Sequence, residues 1–295
     1  MSHSDNRDSD KRVEAQRLDL LKYPRTPHLE GSRLQPGDEG FNQIPYAHLA
    51  GRYIVVEEKL DGGNAGLSFA PDGQMWLQSR GHYLTGGGRE RQFNLFKLWA
   101  AAHEAALLGC LEDRYVVYGE WLHKLHAVFY DALPHYFCEF DVWDRSRACF
   151  LSTAARERLL AGVPVLGVPV LYAGIAPRRQ SDLMALLGAS MARTGRWRQA
   201  FEQTVRRERL DPEQAWARID QSDTAEGLYI KVEEGDETVA RLKWVRADFV
   251  QAILDSGSHH AEQPFIPNGL AEGVDLYSPV LTRQWRDGRR AGSAL

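Results

Sequence analysis

Two separated regions of the chain have the apolar patterning of strands, and helical spacing fills the stretches between and after them. Residues 52–58 (RYIVVEE) are β-branched and aromatic. Residues 67–69 and 75–79 flank Pro71-Asp72-Gly73, turn chemistry that predicts a hairpin. Residues 115–122 (YVVYGEWL) and 136–143 (YFCEFDVW) predict two more strands. At the far end, 227–233 and 238–245 predict a pair joined at Glu234-Gly235-Asp236. Phe93, Phe96, Leu98, Ala101 and Ala105 recur at helical spacing within 91–108. Helices are predicted over 152–160 with a Ser or Thr cap, over 182–187 and 197–209, from Pro212 as a first-turn proline, and over 247–254. Strands clustered at both ends of a helical middle make an α+β pattern with largely antiparallel strands, not a βαβ alternation.

This pattern suggests boundaries. Residues 1–20 are polar and predict a flexible tail. Residues 21–250 would form the main domain, with 151–222 as a helix-rich excursion. Residues 251–295 would be a short Gly- and Pro-rich segment with too little strand signal for a complete β-barrel. The stretch 23–28 (YPRTPH) fits either an arm folded over bound phosphates or an ordinary surface arm.

Composition narrows the function. The chain has 295 residues, 43% hydrophobic and 26% charged, which is ordinary for a globular protein. Its net charge of −4 does not suit a general nucleic-acid coat, so any polynucleotide would be held by a local patch. Cys110, Cys138 and Cys149 are far apart, which argues against a zinc knuckle or a disulfide framework and predicts reduced thiols in a cytoplasmic protein. The N-terminus is charged from the start, and the longest apolar stretch, 163–176, is short and holds Pro164 and Pro169. No membrane association is expected. Gly86-Gly87-Gly88 lacks the lysine and hydroxyl of a phosphate-cradling loop and reads as a flexible loop. His123, His126 and His135 fit no common zinc spacing and suggest structural or substrate-contacting roles. Arg193, Arg196, Arg198, Arg206, Arg207 and Arg209 crowd the middle segment, as a solvated helix face or as a surface for RNA ends.

The segment with the most chemistry is Glu57-Glu58-Lys59-Leu60-Asp61-Gly62-Gly63-Asn64. A lysine just past an apolar strand is followed by a carboxylate at +2 and glycine at +3, where backbone can approach a phosphate closely. On this segment alone, a solvated turn and an active site fit equally well. Further motifs follow in order: Ser79-Arg80-Gly81, Tyr118-Gly119-Glu120, Phe140-Asp141, Glu226-Gly227-Leu228-Tyr229-Ile230-Lys231 and Arg241-Leu242-Lys243. With Lys59-Leu60-Asp61-Gly62 at their head, these six resemble the lysine-nucleotidyl transferase superfamily of DNA ligases, RNA ligases and capping enzymes. Asn64 resembles the phage-type RNA ligase branch.

The resemblance implies a nucleotidyltransferase, ATP-grasp-like core: two mainly antiparallel sheets around an adenylate pocket, with flanking helices. It implies an ATP-dependent RNA ligase using Mg²⁺ or Mn²⁺ and suited to RNA repair. Lys59 would become a lysyl-AMP, passing AMP to a 5′-phosphate end that is then sealed to a 3′-hydroxyl. Lys59, Asp61, Asn64, Glu226, Arg241 and Lys243 would be catalytic. Glu58, Gly62, Arg80, Glu120, Phe140 and Lys231 would bind the nucleotide, with Phe140 stacking on adenine and Glu120 taking the ribose. Asp141 and Glu226 would place the metal. Arg241 stands where the family usually has lysine. An exposed lysine titrates near about 10.4, so Lys59 would need a cationic field, from Arg241, Lys243 and the metal, to become nucleophilic. The expected partners are RNA ends and ATP, with room for a protein that supplies substrate binding. Rival readings are a DNA ligase, a GTP-using capping enzyme, and a non-catalytic nucleotide- or RNA-end-binding protein on the same fold.

Overall fold

The computed structural model describes residues 19–34, 43–250 and 264–285. Each predicted strand forms. β1 (Tyr53–Lys59) is followed by the hairpin of β2 (Gly63–Phe69) and β3 (Met75–Ser79), then β4 (Tyr115–Trp121) and β5 (Phe137–Asp144). The chain then adds β6 (Cys149–Leu151), β7 (Leu166–Gly167) and β8 (Val170–Ile175), and closes with β9 (Gly227–Glu234) and β10 (Glu237–Val245). The strand order is β3-β2-β4-β5-β6-β10-β9-β1-β8, antiparallel throughout, with β7 joined to β5 in parallel.

The two expected sheets are thus two halves of one sheet, linked by the three-residue β6. β6 meets β5 at Trp143 and Asp144 and β10 at Glu237 and Thr238. In a flat sheet β5 and β1 would lie four strand spacings apart, roughly 19 Å. Yet the Arg156 guanidinium bonds Glu57 of β1 and Glu139 of β5, each at 2.7 Å. The sheet therefore folds over at β6, and its halves face each other.

Side-chain alternation sorts the second half. Ile54, Val56, Leu228, Ile230, Val232 and Leu242 join Leu29, Leu171 and Leu183 in one apolar cluster on the outer face. Their neighbours Glu57, Lys59, Tyr229, Lys231, Arg241 and Lys243 line the inner face. On the first half, the outer face packs Leu67, Phe69, Val117, Trp121 and Phe137 against Phe96, Trp99, Leu107 and Leu111 of two helices. These are α1 (Asn94–Ala102) and α2 (Glu104–Leu111). The single helix expected over 91–108 is broken at His103, where φ is −111° and ψ 10°; its imidazole meets the Leu276 carbonyl at 2.9 Å.

The middle segment needs a correction. α3 (Thr153–Leu159), α4 (Gln180–Met184), α5 (Trp197–Arg207) and α6 (Pro212–Trp216) are present, but β7 and β8 lie among them. β8 forms the edge of the sheet against β1. Its prolines obscured it: Pro169 stands immediately before the strand, a position a sheet edge tolerates. Ser152 caps α3 by accepting from the Ala155 amide, and Asp211 caps α6 ahead of Pro212. Residues 264–285 run back across the first half. Asn268, almost fully buried, accepts from Tyr130 N and donates to the Leu122 carbonyl. The predicted tail lies, apart from residues 19 and 20, outside the described residues, as does 251–254 of the last helix. Among the described residues no helix is long and apolar enough to cross a membrane.

Candidate active site

Lys59 is the last residue of β1, where the chain passes from one half-sheet to the other. Its ammonium pairs with both carboxylate oxygens of Glu226, at 2.7 and 2.8 Å. The Lys59 side chain keeps a quarter of its surface exposed, while Glu226 is 2% exposed. Glu226 stands just before β9, whose Gly227 is paired with Lys59. A side chain at 227 would place its Cβ 2.0 Å from the Trp244 carbonyl, so only glycine lets β10 approach there. Gly62 is constrained in the same way: a Cβ would lie 2.7 Å from the Trp121 carbonyl, and its amide donates to Glu120 at 3.0 Å.

Three carboxylates therefore surround one amine. Burial would lower the Lys59 pKa, but Glu226, Glu120 and Asp61 outweigh it and hold the ammonium above its ordinary value. This corrects the expectation that the protein's own field would lower it. Burial pushes Glu120 up to about 8 and Glu226 up to about 7, against the pull of Lys59 in both cases. The folded protein thus binds these two protons more tightly than the unfolded chain. The stability they contribute is complete below the ordinary value of 4.5 and is lost as pH rises through about 7 and about 8. The melting temperature is expected to fall over that window, and Glu120→Gln should flatten the fall in a calorimetric pH series.

The remaining predicted residues fall into distinct places. Asn64 pairs with Glu120 across β2 and β4, and its Oδ1 is buried with no hydrogen-bond partner among the described residues. Lys243 lies on the same inner face as Lys59, and its charge helps hold Glu226 down. Asp61 does not face open space: its Oδ2 accepts from the Ala127 and Val128 amides at 2.7 and 2.8 Å, clamping the loop after β4. Glu58 points to the opposite face, where Ser190 Oγ and the Met191 amide donate to it; its carboxylate is outside the lysine cluster. Arg80 is exposed on the turn after β3, apart from that cluster.

Lys231 and Asp141 form a second cluster. Lys231 is fully buried, 3.0 Å from Glu57 and 3.3 Å from Asp141, and also donates to the Phe140 carbonyl. Arg241 approaches Asp141 at 3.4 Å and covers the Phe150 ring at 3.7 Å. Burial would raise the Asp141 pKa, but Lys231, Arg241 and Arg156 hold it below the usual carboxylate range. A carboxylate enclosed by three cations does not fit the expected metal role. Among the described residues no group of three or more His, Cys, Asp or Glu is arranged to hold a metal ion. Phe140 is half-buried, its ring 6.4 Å from that of Tyr229.

Sequence reasoning missed Glu57, Glu139 and Arg156, which brace the two half-sheets, and the Tyr130 hydroxyl, which accepts from the Asp61 amide at 2.8 Å. The signal available was acidic residues inside otherwise apolar strands, which need buried partners.

A sheet folded around a lysine, with glycines at 62 and 227 where the strands approach most closely, defines a site that holds one amine among carboxylates. The RNA ligase family model matches residues 52–245, well over half of the chain, and the protein belongs to the RNA ligase family. Solved structures similar to it include three of Naegleria gruberi RNA ligase. A mutant with ATP and Mn has 17% identity and a TM-score of 0.47, covering 71% of this chain and 53% of that one. A mutant with AMP and Mn has 16% identity and a TM-score of 0.48, covering 79% and 60%. The protein with PPi has 17% identity and a TM-score of 0.48, covering 80% and 61%. The chain thus spans about half the length of the first of these. No curated protein matches it.

Proposed function

We propose that this protein is an ATP-dependent RNA ligase that carries AMP on Lys59. The observation that supports it most directly is the Lys59 amine at 2.7 Å from Glu226, at the crossing between the half-sheets. Glu226, paired with the ammonium and ionising at about pH 7, is placed to take its proton once the cationic charge of a bound metal offsets the carboxylates that hold that proton above its ordinary value. The freed amine attacks the α-phosphorus of ATP; a nitrogen–phosphorus bond forms and the bond to pyrophosphate breaks. An RNA 5′-phosphate oxygen then takes the adenylyl group and releases Lys59. A 3′-hydroxyl finally attacks that 5′-phosphorus and expels AMP.

Glu120 would hold the ribose hydroxyls, Phe140 and Tyr229 the base, Asn64 an ordered water or hydroxyl, and Lys243 the α-phosphate. Arg241 would face the departing phosphates, and Arg80, on its exposed turn, the polynucleotide. A bound Mg²⁺ or Mn²⁺ would supply charge neutralisation at the phosphates, with Glu226 as the fitting protein carboxylate. A cytoplasmic role in RNA repair is part of this reading.

Incubation with α-labelled ATP and Mg²⁺ tests the first step, and competition between 5′-phosphorylated RNA and DNA ends tests the substrate class. ATP binding with no covalent label would favour a nucleotide-binding protein. Preference for DNA ends would favour the DNA ligase reading. Because Glu226 must be ionised to take the proton, the labelling rate should rise with pH through about 7. Glu226→Gln should slow labelling by roughly 10²- to 10⁴-fold and remove that rise. A variant that keeps the wild-type pH profile would exclude Glu226 as the proton acceptor.

A further inference from the structure

Residues 19–29 cross the cleft between the half-sheets as a strap fixed at both ends. On the first wall, Gln78 and the Tyr118 hydroxyl donate to the Leu21 carbonyl at 2.9 and 2.8 Å. On the second, the Lys243 amide donates to Pro27 at 2.9 Å, and the Leu29 amide donates back to Lys243 at 2.8 Å. Between these anchors Tyr23 is inserted, 7% exposed, its ring edge-on to Phe140 at 5.1 Å and under the Arg241 guanidinium at 5.1 Å. Its hydroxyl bonds Asp141 and lies 2.5 Å from the Tyr229 hydroxyl, which is 2.8 Å from Thr26 Oγ1.

Proton count gives this chain a direction. An ionised carboxylate only accepts, and each hydroxyl has one proton to donate. Tyr23 gives its proton to Asp141, so Tyr229 donates to Tyr23 and Thr26 to Tyr229. Three hydroxyls in series end on a carboxylate and fix the Tyr229 ring relative to Phe140. Those rings stand 6.4 Å apart at 32°. A flat base between two rings needs about 7 Å, twice a van der Waals contact of ~3.5 Å, so the pair stands slightly closed and Tyr229 must part from Phe140 by roughly half an ångström to admit one.

We infer that Tyr23 is a positioning residue for the nucleotide base: from the strap, it sets the spacing and tilt of the Phe140–Tyr229 slot. The inference rests on the ligase reading above and adds to it a residue outside the six ordered motifs, in the arm at 23–28. Removing the hydroxyl while keeping the ring leaves the strap packed but lets Tyr229 turn.

The test compares full-length wild type with Tyr23→Phe and Thr26→Val in labelling with α-labelled ATP. Tyr23→Phe should raise the KM for ATP about five- to tenfold, the scale of one lost buried hydrogen bond. Its labelling kcat should stay within about twofold. Thr26→Val, at the start of the chain, should shift KM in the same direction by less. A purely structural role would instead lower the melting temperature without separating KM from kcat. If wild type labels and both variants keep its KM within about twofold, the inference is overturned. If Tyr23→Phe does not fold, the KM of Thr26→Val decides by the same criterion. If wild type itself takes no label, the failure belongs to the ligase reading.

Discussion

Lys59→Ala is expected to abolish the covalent AMP label, a loss on the order of 10⁴-fold or more, because Lys59 is the amine that pairs directly with Glu226 at 2.7 Å. The fold should survive. Glu226 titrates near about 7 even with its partner present, so without the ammonium it takes a proton rather than remaining a bare buried charge. ATP binding should persist, because the slot, Glu120 and Lys243 are untouched. The result is read by autoradiography beside a nucleotide-binding titration and a melting curve. Retained label on Lys59→Ala would move the nucleophile elsewhere and end the proposal. Loss of both label and fold would be inconsistent with the charge argument.

The second large effect is on stability. Lys231→Met should cost about 3–5 kcal/mol, because Glu57 and Asp141 would share a dry interior with one cation fewer. For a chain of this size that is a melting-temperature drop of roughly 10 °C. The penalty should far exceed that of neutralising Arg158, which pairs with Asp236 at the surface with both side chains more than half exposed. Adding Asp141→Leu to Lys231→Met should recover part of the loss, since removing both members of a buried pair costs less than removing one. A single variant that melts within about 2 °C of wild type would mean that Lys231 does not brace the half-sheets.

Most of the strand framework could be read from the sequence because β-branched runs bounded by turn residues have one natural fold. Gly235, with φ of 59°, closes the β9–β10 hairpin where Glu234-Gly235-Asp236 predicted it. What could not be read was long-range. β6 is three residues long, too short to leave a periodic signal, yet it determines that two sheets become one. The motifs identified Lys59, Glu226 and Glu120 as neighbours, but no local pattern says that Lys59 would be surrounded by carboxylates rather than cations. Nor does sequence spacing distinguish Asp141, enclosed by Lys231 and Arg241, from a carboxylate open to a metal. Glu58 and Lys59 are adjacent in the chain and face opposite sides of it, as strand alternation requires.

Lys59 and the carboxylate that holds it are 167 residues apart along the chain. β1 sits in the sheet between β8 and β9, so its inner flank has no partner until the last two strands have been synthesised. During translation Lys59 leaves the ribosome early, and residues 226–245, which enclose it, follow late. On the ligase reading proposed above, a nascent chain stalled before that point would spend no ATP, and competence would be withheld until residues 226–245 are in place.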